Sequence, residues 1–344
     1  MPNPRVTIII LNWNGWEDTV ECLESIFQIN YHNFVVIVVD NASEDDSIEK
    51  LRQYCNGILK VNSKFFYYSS LNKPIELFEY TNNELEKTFN SNTKNLSNKL
   101  FLIKNSKNYG FAKGNNIGIE YAINTFDPDY VLLLNNDTVV DKEFLRELVL
   151  YVEENQNVGV IGPKIYYYDH PDKIQVATTK IDFWTGRNSL WGDGEVDHGQ
   201  YDNISVTDYV SGACFLVKRE IINKLGFLDS NFVCYWEETD YCTSVRRNGY
   251  QCIYNPNSFI WHKGSKSTNK FTGLLTFYMT RNMFWFMQKH ADKLHYFVFI
   301  MFYFGLKFWY VVINLVIKKD FKDISYFISG VKAGLLGYNT IKNK

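Results

Sequence analysis

Apolar and polar positions follow two different periods along the first half of the chain, and the switches between them mark the elements. Val6–Leu11 is a β-rich apolar run, Trp16–Gln28 places Val20, Leu23, Ile26 and Phe27 at helical spacing, and Phe34–Val39 is a second apolar run ending at Asp40. Runs that are apolar on both faces read as strands buried between helical layers, so these forty residues predict a strand–helix–strand unit with its polar ends on one rim. Ser43 and Asp46 stand at capping-box spacing ahead of Ile48–Tyr54. Residues 60–99 are rich in Asn, Ser and Lys with no clear period and predict an inserted, partly irregular polar loop. Phe101–Lys104 predicts a short strand, Gly114–Asn124 a helix, Tyr130–Leu134 the central strand and Lys142–Glu154 an amphipathic helix.

The pattern then loosens. Val158–Ile165 with Tyr166–Tyr168 reads as strand, Asp182–Asn203 as a long functional loop, and Tyr209–Lys218 as a buried strand around Ser211-Gly212-Ala213. A helix over Glu238–Asn248 stops at Gly249, and a short strand near Gln251–Tyr254 runs on to Trp261-His262. No internal repeat is visible. The alternation predicts an α/β chain with a doubly wound, mainly parallel sheet to about Asp141 and a mixed extension after it. Residues 1–265 are expected to form this domain and 266–344 an aromatic-rich helical region.

Composition changes this picture little. The 344 residues can bury a large core, and a net charge of -2 gives no global field that would point to nucleic acid. Six cysteines without Cys-x-x-Cys pairing or zinc spacing fit packed, reduced thiols. The N-terminus runs straight into a strand, with no basic n-region and no cleavage site, and does not read as a signal peptide. Leu294–Ile317 approaches membrane-spanning length but is interrupted by His295 and Lys307. Basic residues flank it on both sides, Lys289 and Lys293 before and Lys318, Lys319 and Lys322 after. It predicts helices lying in, or dipping into, the cytoplasmic face of the cell membrane, as a peripheral or monotopic attachment; a packed core or oligomer helix is the other reading.

Candidate chemistry gathers at strand ends. The run Val131–Leu134 finishes in Asn135-Asn136-Asp137, where open α/β sheets bind ligands. Alternation along a strand sends Asn135 and Asp137 to one side and Asn136 to the other. By itself the tripeptide is also what an Asx turn looks like. Asn108-Tyr109-Gly110-Phe111-Ala112-Lys113-Gly114-Asn115-Asn116 has glycines suited either to close backbone approach to a ligand ahead of a helix or to ordinary turns. Neither Gly-x-Gly-x-x-Gly nor Gly-x-x-x-x-Gly-Lys-Ser/Thr occurs, which disfavours a nicotinamide dehydrogenase or a P-loop NTPase.

In order along the chain, Ile8–Asn14, Val38–Ser43, Asn108–Gly118, Leu132–Thr138, Ser211-Gly212-Ala213, Trp236–Cys242 and Trp261-His262 resemble the family 2 glycosyltransferases, in their rhamnosyltransferase-like branch of surface-polysaccharide enzymes. The resemblance implies a GT-A fold, a nucleotide-sugar donor, a saccharide acceptor that is lipid-linked, and Mg²⁺ or Mn²⁺. It further implies that Asp40 accepts the imide N–H of uracil or thymine, with Asn12, Asn41, Asn108, Gly110, Gly114, Asn115, Asn135 and Asn136 around the donor. Asn135-Asn136-Asp137 is similar to the family's Asp-x-Asp signature with Asn135 in place of its first acid, so Asp137 and His262 are the implied metal ligands. In Trp236-Glu237-Glu238-Thr239-Asp240, Glu238 resembles the catalytic base and Glu237 its neighbour, with Trp236, Ser211 and Gly212 facing the acceptor. A carboxylate can take the proton of a sugar hydroxyl as it attacks. A nucleotidyltransferase would want a basic glycine-rich loop that Asn12–Gly15 lacks, and a non-catalytic nucleotide-sugar binder is the competing class.

Overall fold

The structure, a computed structural model, describes residues 3–81, 84, 96, 98–264 and 272–337. In chain order the first half forms β1 (Val6–Asn12), α1 (Trp16–Ile26), β2 (Phe34–Asp40), α2 (Ser47–Cys55), β3 (Glu76–Thr81), β4 (Lys99–Lys104), α3 (Gly110–Phe126) and β5 (Tyr130–Asn135). β1 pairs in parallel with β2 on one side and β5 on the other, and β2, β4 and β3 continue the parallel sheet outward. Every residue of β2 is buried, because helices cover both faces. Ile8, Ile10, Val36 and Leu132 pack towards α1 and α2, whereas Ile9, Ile37, Val39 and Leu133 pack towards α3. The chain leaves β1 in one direction and returns to β5 on its opposite edge. That reversal opens a crevice at the carboxyl ends of β1 and β5.

The second half adds β6 (Thr138–Val140), α4 (Phe144–Glu154), β7 (Val158–Tyr167), β8 (Ile174–Val176), β9 (Thr179–Asp182), β10 (Arg187–Leu190), β11 (Ser205–Val206), β12 (Cys214–Lys218), α5 (Arg219–Leu225), α6 (Glu237–Arg247) and β13 (Gln251–His262). β12 runs antiparallel between β5 and β7, which makes the extension mixed as expected. β13 follows β7 in parallel, shifts register between Asn255 and Phe259, and ends against β6 with His262 opposite Thr138.

Several expected boundaries move, each for a local reason. The 60–99 segment lies partly outside the described residues, but Glu76–Thr81 is an edge strand, tied down where Arg52 and Lys104 both reach Glu79. Ser211-Gly212-Ala213 is a turn ahead of β12, closed by the Cys214 N–H donating to Ser211 O at 3.2 Å. Residues 182–203 hold a two-stranded hairpin, β9 with β10, and a stretch fastened by Asp197 and Asp202 on the buried Lys164.

The helical layer comprises α7 (Thr272–His290), α8 (Lys293–Phe302), a π-helical turn (Tyr303–Lys307), α9 (Phe308–Ile317) and α10 (Phe321–Leu335). The expected boundary at 265–266 falls outside the described residues. From α7 onward, Phe284, Trp285, Phe286, Phe299 and Tyr303 share one core with Phe232 and Trp236, so this layer is packed onto the sheet domain. Lys307 does not break the apolar segment: Lys293–Ile317 is one 25-residue helix of hydropathy 1.8, and only 6% of its apolar window is buried. Phe297, Trp309, Tyr310, Ile313 and Ile317 are all more than half exposed along it. Among the described residues it is the one helix long and apolar enough to cross a membrane.

Candidate active site

A cavity of about 470 Å³ opens at the β1/β5 crevice, and the strand end Asn135–Asp137 forms part of its wall together with His262. The β6–β13 ladder brings these residues together across more than a hundred positions of sequence, and the Lys263 N–H closes it by donating to Asp137 O at 3.0 Å. His262 Nε2 lies 3.1 Å from Asp137 Oδ1 and 3.4 Å from Asn135 Nδ2. The strand alternation expected of this tripeptide does not extend through it: β5 ends at Asn135, and Asn136 and Asp137 form the turn into β6, with Asn136 donating to Thr19 Oγ1 at 3.0 Å. Burial works to raise the pKa of Asp137, but His262, the backbone N–H of Asp137 itself and Lys263 together outweigh it and hold the carboxyl below its ordinary value.

His262 Nδ1 is 2.6 Å from Gln175 Oε1, a carbonyl that can only accept. A neutral imidazole therefore keeps its proton on Nδ1 and turns the Nε2 lone pair to the Asp137 carboxylate. Two acceptors 3.1 Å apart need a cation between them, either a proton or a metal. Among the described residues no group of three or more His, Cys, Asp or Glu side chains could form a protein-only metal cage. The donor set of one carboxylate and one imidazole fits Mg²⁺ or Mn²⁺ that takes its remaining ligands from phosphate oxygens and water.

Glu237 and Glu238 open α6 on the same cavity. Three non-glycine residues just before them have left-handed backbones, Val233 (φ 65°), Tyr235 (φ 67°) and Trp236 (φ 77°). Such conformations cost about 1–3 kcal/mol each and mark a site held in place by its surroundings. Burial, the Glu238 charge and Asp240 push Glu237 well above the usual carboxylate range, and its buried Oε2 has no hydrogen-bond partner among the described residues. Glu238 is half-buried; burial pushes it up to about 7, opposed by the backbone N–H groups of Glu238 and Thr239 at the helix start. Near neutrality Glu238 can exchange a proton, and burial works in the same direction on Glu237.

The other expected residues divide into two groups. Asn41, Asn108, Gly110, Ser211 and Gly212 line the cavity. Asn108 Oδ1 accepts the Gly110 N–H at 2.8 Å and Asn41 Nδ2 at 2.9 Å, which fixes the start of α3. Gly110 has φ +79°, and a Cβ there would meet Val233 O at 2.9 Å, so the position requires glycine.

Asn12, Asp40, Gly114, Asn115 and Trp236 are not part of the cavity wall. Asn12 is spent on a turn, donating to Asp40 Oδ1 at 2.8 Å and accepting from Thr19 Oγ1 at 2.7 Å. Asp40, 3% exposed, also accepts from Ser43 Oγ at 2.6 Å through Oδ1 and from Ser43 N at 3.0 Å through Oδ2. Gly114 faces the sheet: a Cβ would stand 2.6 Å from Leu11 Cδ1, so it serves close helix–strand packing instead of ligand approach. Asn115 Nδ2 donates to Phe111 O one turn back at 3.0 Å. Trp236 is buried with its ring 5.0 Å from that of Phe286, so its face is covered by α7 and Tyr235 borders the cavity beside it.

The chain matches the glycosyl transferase family 2 profile over residues 7–73 and the glycosyltransferase like family 2 profile over residues 73–287. It belongs to the family 2 glycosyltransferases. This family 2 chain is 29% identical over 145 residues to the low-salt glycan biosynthesis hexosyltransferase of Haloferax volcanii, covering 42% of this chain and 46% of that one. It is 24% identical over 200 residues to a dTDP-rhamnosyl transferase of Shigella flexneri, covering 56% and 64%. It thus spans about half the length of the first relative and under two thirds of the second. A mannosyltransferase from Pyrobaculum calidifontis, solved with GDP-Man and Mn²⁺, superposes with a TM-score of 0.53 at 13% identity over 97% of this chain and 88% of its own. GalNAc-T7, solved with UDP, GalNAc and Mn²⁺, gives 0.53 at 14% identity over 75% and 43%. The fold is GT-A.

Some residues of this family 2 site escaped the sequence reading. Leu274, Leu275 and Tyr278 of α7 wall the cavity opposite the sheet, and Leu11, Trp13 and Phe111 add apolar surface. Gln175, which orients His262, comes from β8 and carries no motif. A signal did exist for α7: Arg281-Asn282 is a polar pair inside an otherwise apolar, aromatic run.

Proposed function

We propose that this chain is an inverting glycosyltransferase that moves a sugar from a nucleotide-diphosphate sugar, dTDP-rhamnose-like or UDP-linked, to a lipid-linked saccharide acceptor in cell-surface polysaccharide synthesis. The observation that carries the reading is one cavity with the Asp137–His262 pair at a strand end and the near-neutral carboxylate Glu238 at a helix start. Asn41, Asn108 and Gly110 border the donor's nucleoside. Asp137 and His262 would hold a divalent cation, which when bound would supply neutralisation of the charge on the leaving diphosphate.

Glu238 accepts the proton of the acceptor hydroxyl as its oxygen attacks the anomeric carbon from the face opposite the departing diphosphate. Configuration inverts, and no protein nucleophile is needed. Burial and the neighbouring Glu238 charge favour the protonated form of Glu237, which limits the charge beside the base. Ser211 and Gly212 line the cavity, and a Cβ on Gly212 would lie 3.8 Å from Glu238 Cγ, so this small-residue turn leaves the acceptor room beside the base. The dTDP-rhamnosyl and hexosyl relatives support the donor class, and the Mn²⁺-bound neighbours support the cation.

A thermal-shift panel of nucleotide sugars with Mg²⁺ or Mn²⁺, followed by transfer assays, tests this. The donor is expected to raise Tm more with the cation than without it, and sugar to move only with acceptor. Stabilisation with neither transfer nor donor hydrolysis would instead mark a non-catalytic binder.

The exposed apolar side of Lys293–Ile317, with Lys293 before it and Lys318 and Lys319 after, supports attachment to the cytoplasmic face of a membrane. Glutamate at Phe297, Trp309 and Ile313 together is expected to shift the protein from the vesicle-bound to the free fraction in a detergent-free flotation assay, since each charge opposes burial in lipid by about 2–3 kcal/mol. Unchanged flotation would remove this surface from the account.

A further inference from the structure

The loop that delivers Glu238 to the cavity has one backbone bond of its own, the Cys234 N–H donating to Phe232 O at 2.7 Å, and is otherwise held by its neighbours. Residues 231–236 pack between the start of α3, where the Phe111 N–H donates to Val233 O at 2.8 Å, and the middle of α7. On the α7 side stands Asn282, 0% exposed. Its Nδ2 lies 2.8 Å from Phe232 O, 2.9 Å from Cys234 O and 2.8 Å from Tyr235 O. Its Oδ1 accepts from Arg281 Nε at 2.9 Å, so the amide can present only its donor side to the loop. Arg281 Nη2 adds bonds to Asn231 O at 2.9 Å and Phe232 O at 3.1 Å, while its guanidinium rests on the Trp285 ring at 4.0 Å. One helical span further on, Lys289 and His290 reach the Asp240 carboxylate in the first turn of α6 at 2.8 and 2.7 Å. α7 therefore grips the loop before Glu238 and the helix turn after it.

The three carbonyls on Asn282 converge because Val233, Tyr235 and Trp236 are left-handed. In an ordinary extended or helical path they would diverge. Valine is a β-branched residue, among the least tolerant of this conformation, so the turn is not a local preference of its sequence. An apolar residue at 282 would take the side-chain donor from the part-buried carbonyls of Cys234 and Tyr235, while Phe232 O would keep the Cys234 N–H and Arg281 Nη2; an asparagine inside an apolar helix is itself unfavourable unless its hydrogen bonds are met.

We propose that Asn282, locked by Arg281, is a positioning residue for glycosyl transfer: by binding the carbonyls of Phe232, Cys234 and Tyr235 it imposes the left-handed turn that aims Glu238 into the cavity. The inference rests on Glu238 being the base. It gives the helical layer a part in the chemistry as well as in membrane attachment.

The test compares Asn282→Ala, Asn282→Ala with Val233→Gly, and Glu238→Gln in the full-length chain, using steady-state transfer and donor binding by calorimetry. Asn282→Ala is expected to lower kcat by about 100-fold, the scale of a misplacement near 1 Å, with donor KM and Kd within about twofold. Glycine adopts left-handed backbone freely, so Val233→Gly in that background is expected to recover at least about tenfold of kcat. A role in folding alone predicts lower Tm with parental kcat per folded molecule and no kcat rescue, and either result overturns the proposal. Should Asn282→Ala not fold, Asn282→Ser retains one donor and is expected to show the same kcat-selective loss; parental kcat in that variant overturns it equally. If Glu238→Gln keeps full activity, the base assignment fails first, whereas a dead Glu238→Gln beside a fully active Asn282→Ala refutes only the positioning role.

Discussion

Glu238→Gln is expected to lower kcat by about 10³-fold, within the range general-base catalysis supplies, while nucleotide-sugar affinity stays within about twofold. The amide is nearly isosteric and removes only the proton acceptor. In the parent, kcat is expected to rise with pH through about 7, where burial has placed this carboxyl. The same shift acts on stability with the opposite sense. Folded Glu238 holds its proton more tightly than the unfolded chain does, so the native state binds more protons between the ordinary carboxylate value and about 7, and stability declines as pH rises across that window. Glu237, raised further, contributes the same sign. Glu238→Gln is therefore expected to melt several degrees above the parent at pH 8 while the two converge below pH 5, a reciprocal pattern that differential scanning calorimetry with parallel kinetics will show. A variant folded and fully active at pH 7.5 would end the assignment.

Asp137→Ala carries the second large effect. On the proposed assignment of Asp137 and His262 as the metal ligands, removing the Asp137 carboxylate should weaken Mn²⁺-dependent donor binding by on the order of 100-fold or more, with metal-independent nucleotide binding much less affected. Calorimetric titration of UDP or dTDP with and without Mn²⁺ separates the two. Gln175→Ala tests the orientation of His262 in the same assay and should cost about 10-fold, because its carbonyl fixes which imidazole nitrogen is free. Equal Mn²⁺ dependence in parent and Asp137→Ala would place the cation elsewhere. Stability should also respond: the folded pKa of Asp137 is depressed, so its contribution is present above the ordinary aspartate value and is lost as pH falls through the folded one.

Much of the fold was legible because β1, β2 and β5 are continuous apolar runs, and only a strand covered by helices on both faces requires that pattern. Reading failed where a residue's role depends on what packs against it. Gly114 has the composition of a ligand loop but lies against Leu11, and Trp236 has the composition of a sugar platform but is covered by Phe286. Asn12 and Asn115 looked like nucleoside contacts and are consumed by hydrogen bonds within turns and helices.

Sequence by itself determined the order of strands and helices, the polar strand ends on one rim and the acidic opening of α6, because burial period and helix-start chemistry are properties of short segments. Only the tertiary structure decided that β13 returns to β6 and sets His262 against Asp137, that Gln175 turns the imidazole, and that Asn282 holds the left-handed turn before Glu238. Those contacts join segments far apart in the chain, and their strength comes from sealing donors and acceptors away from water together.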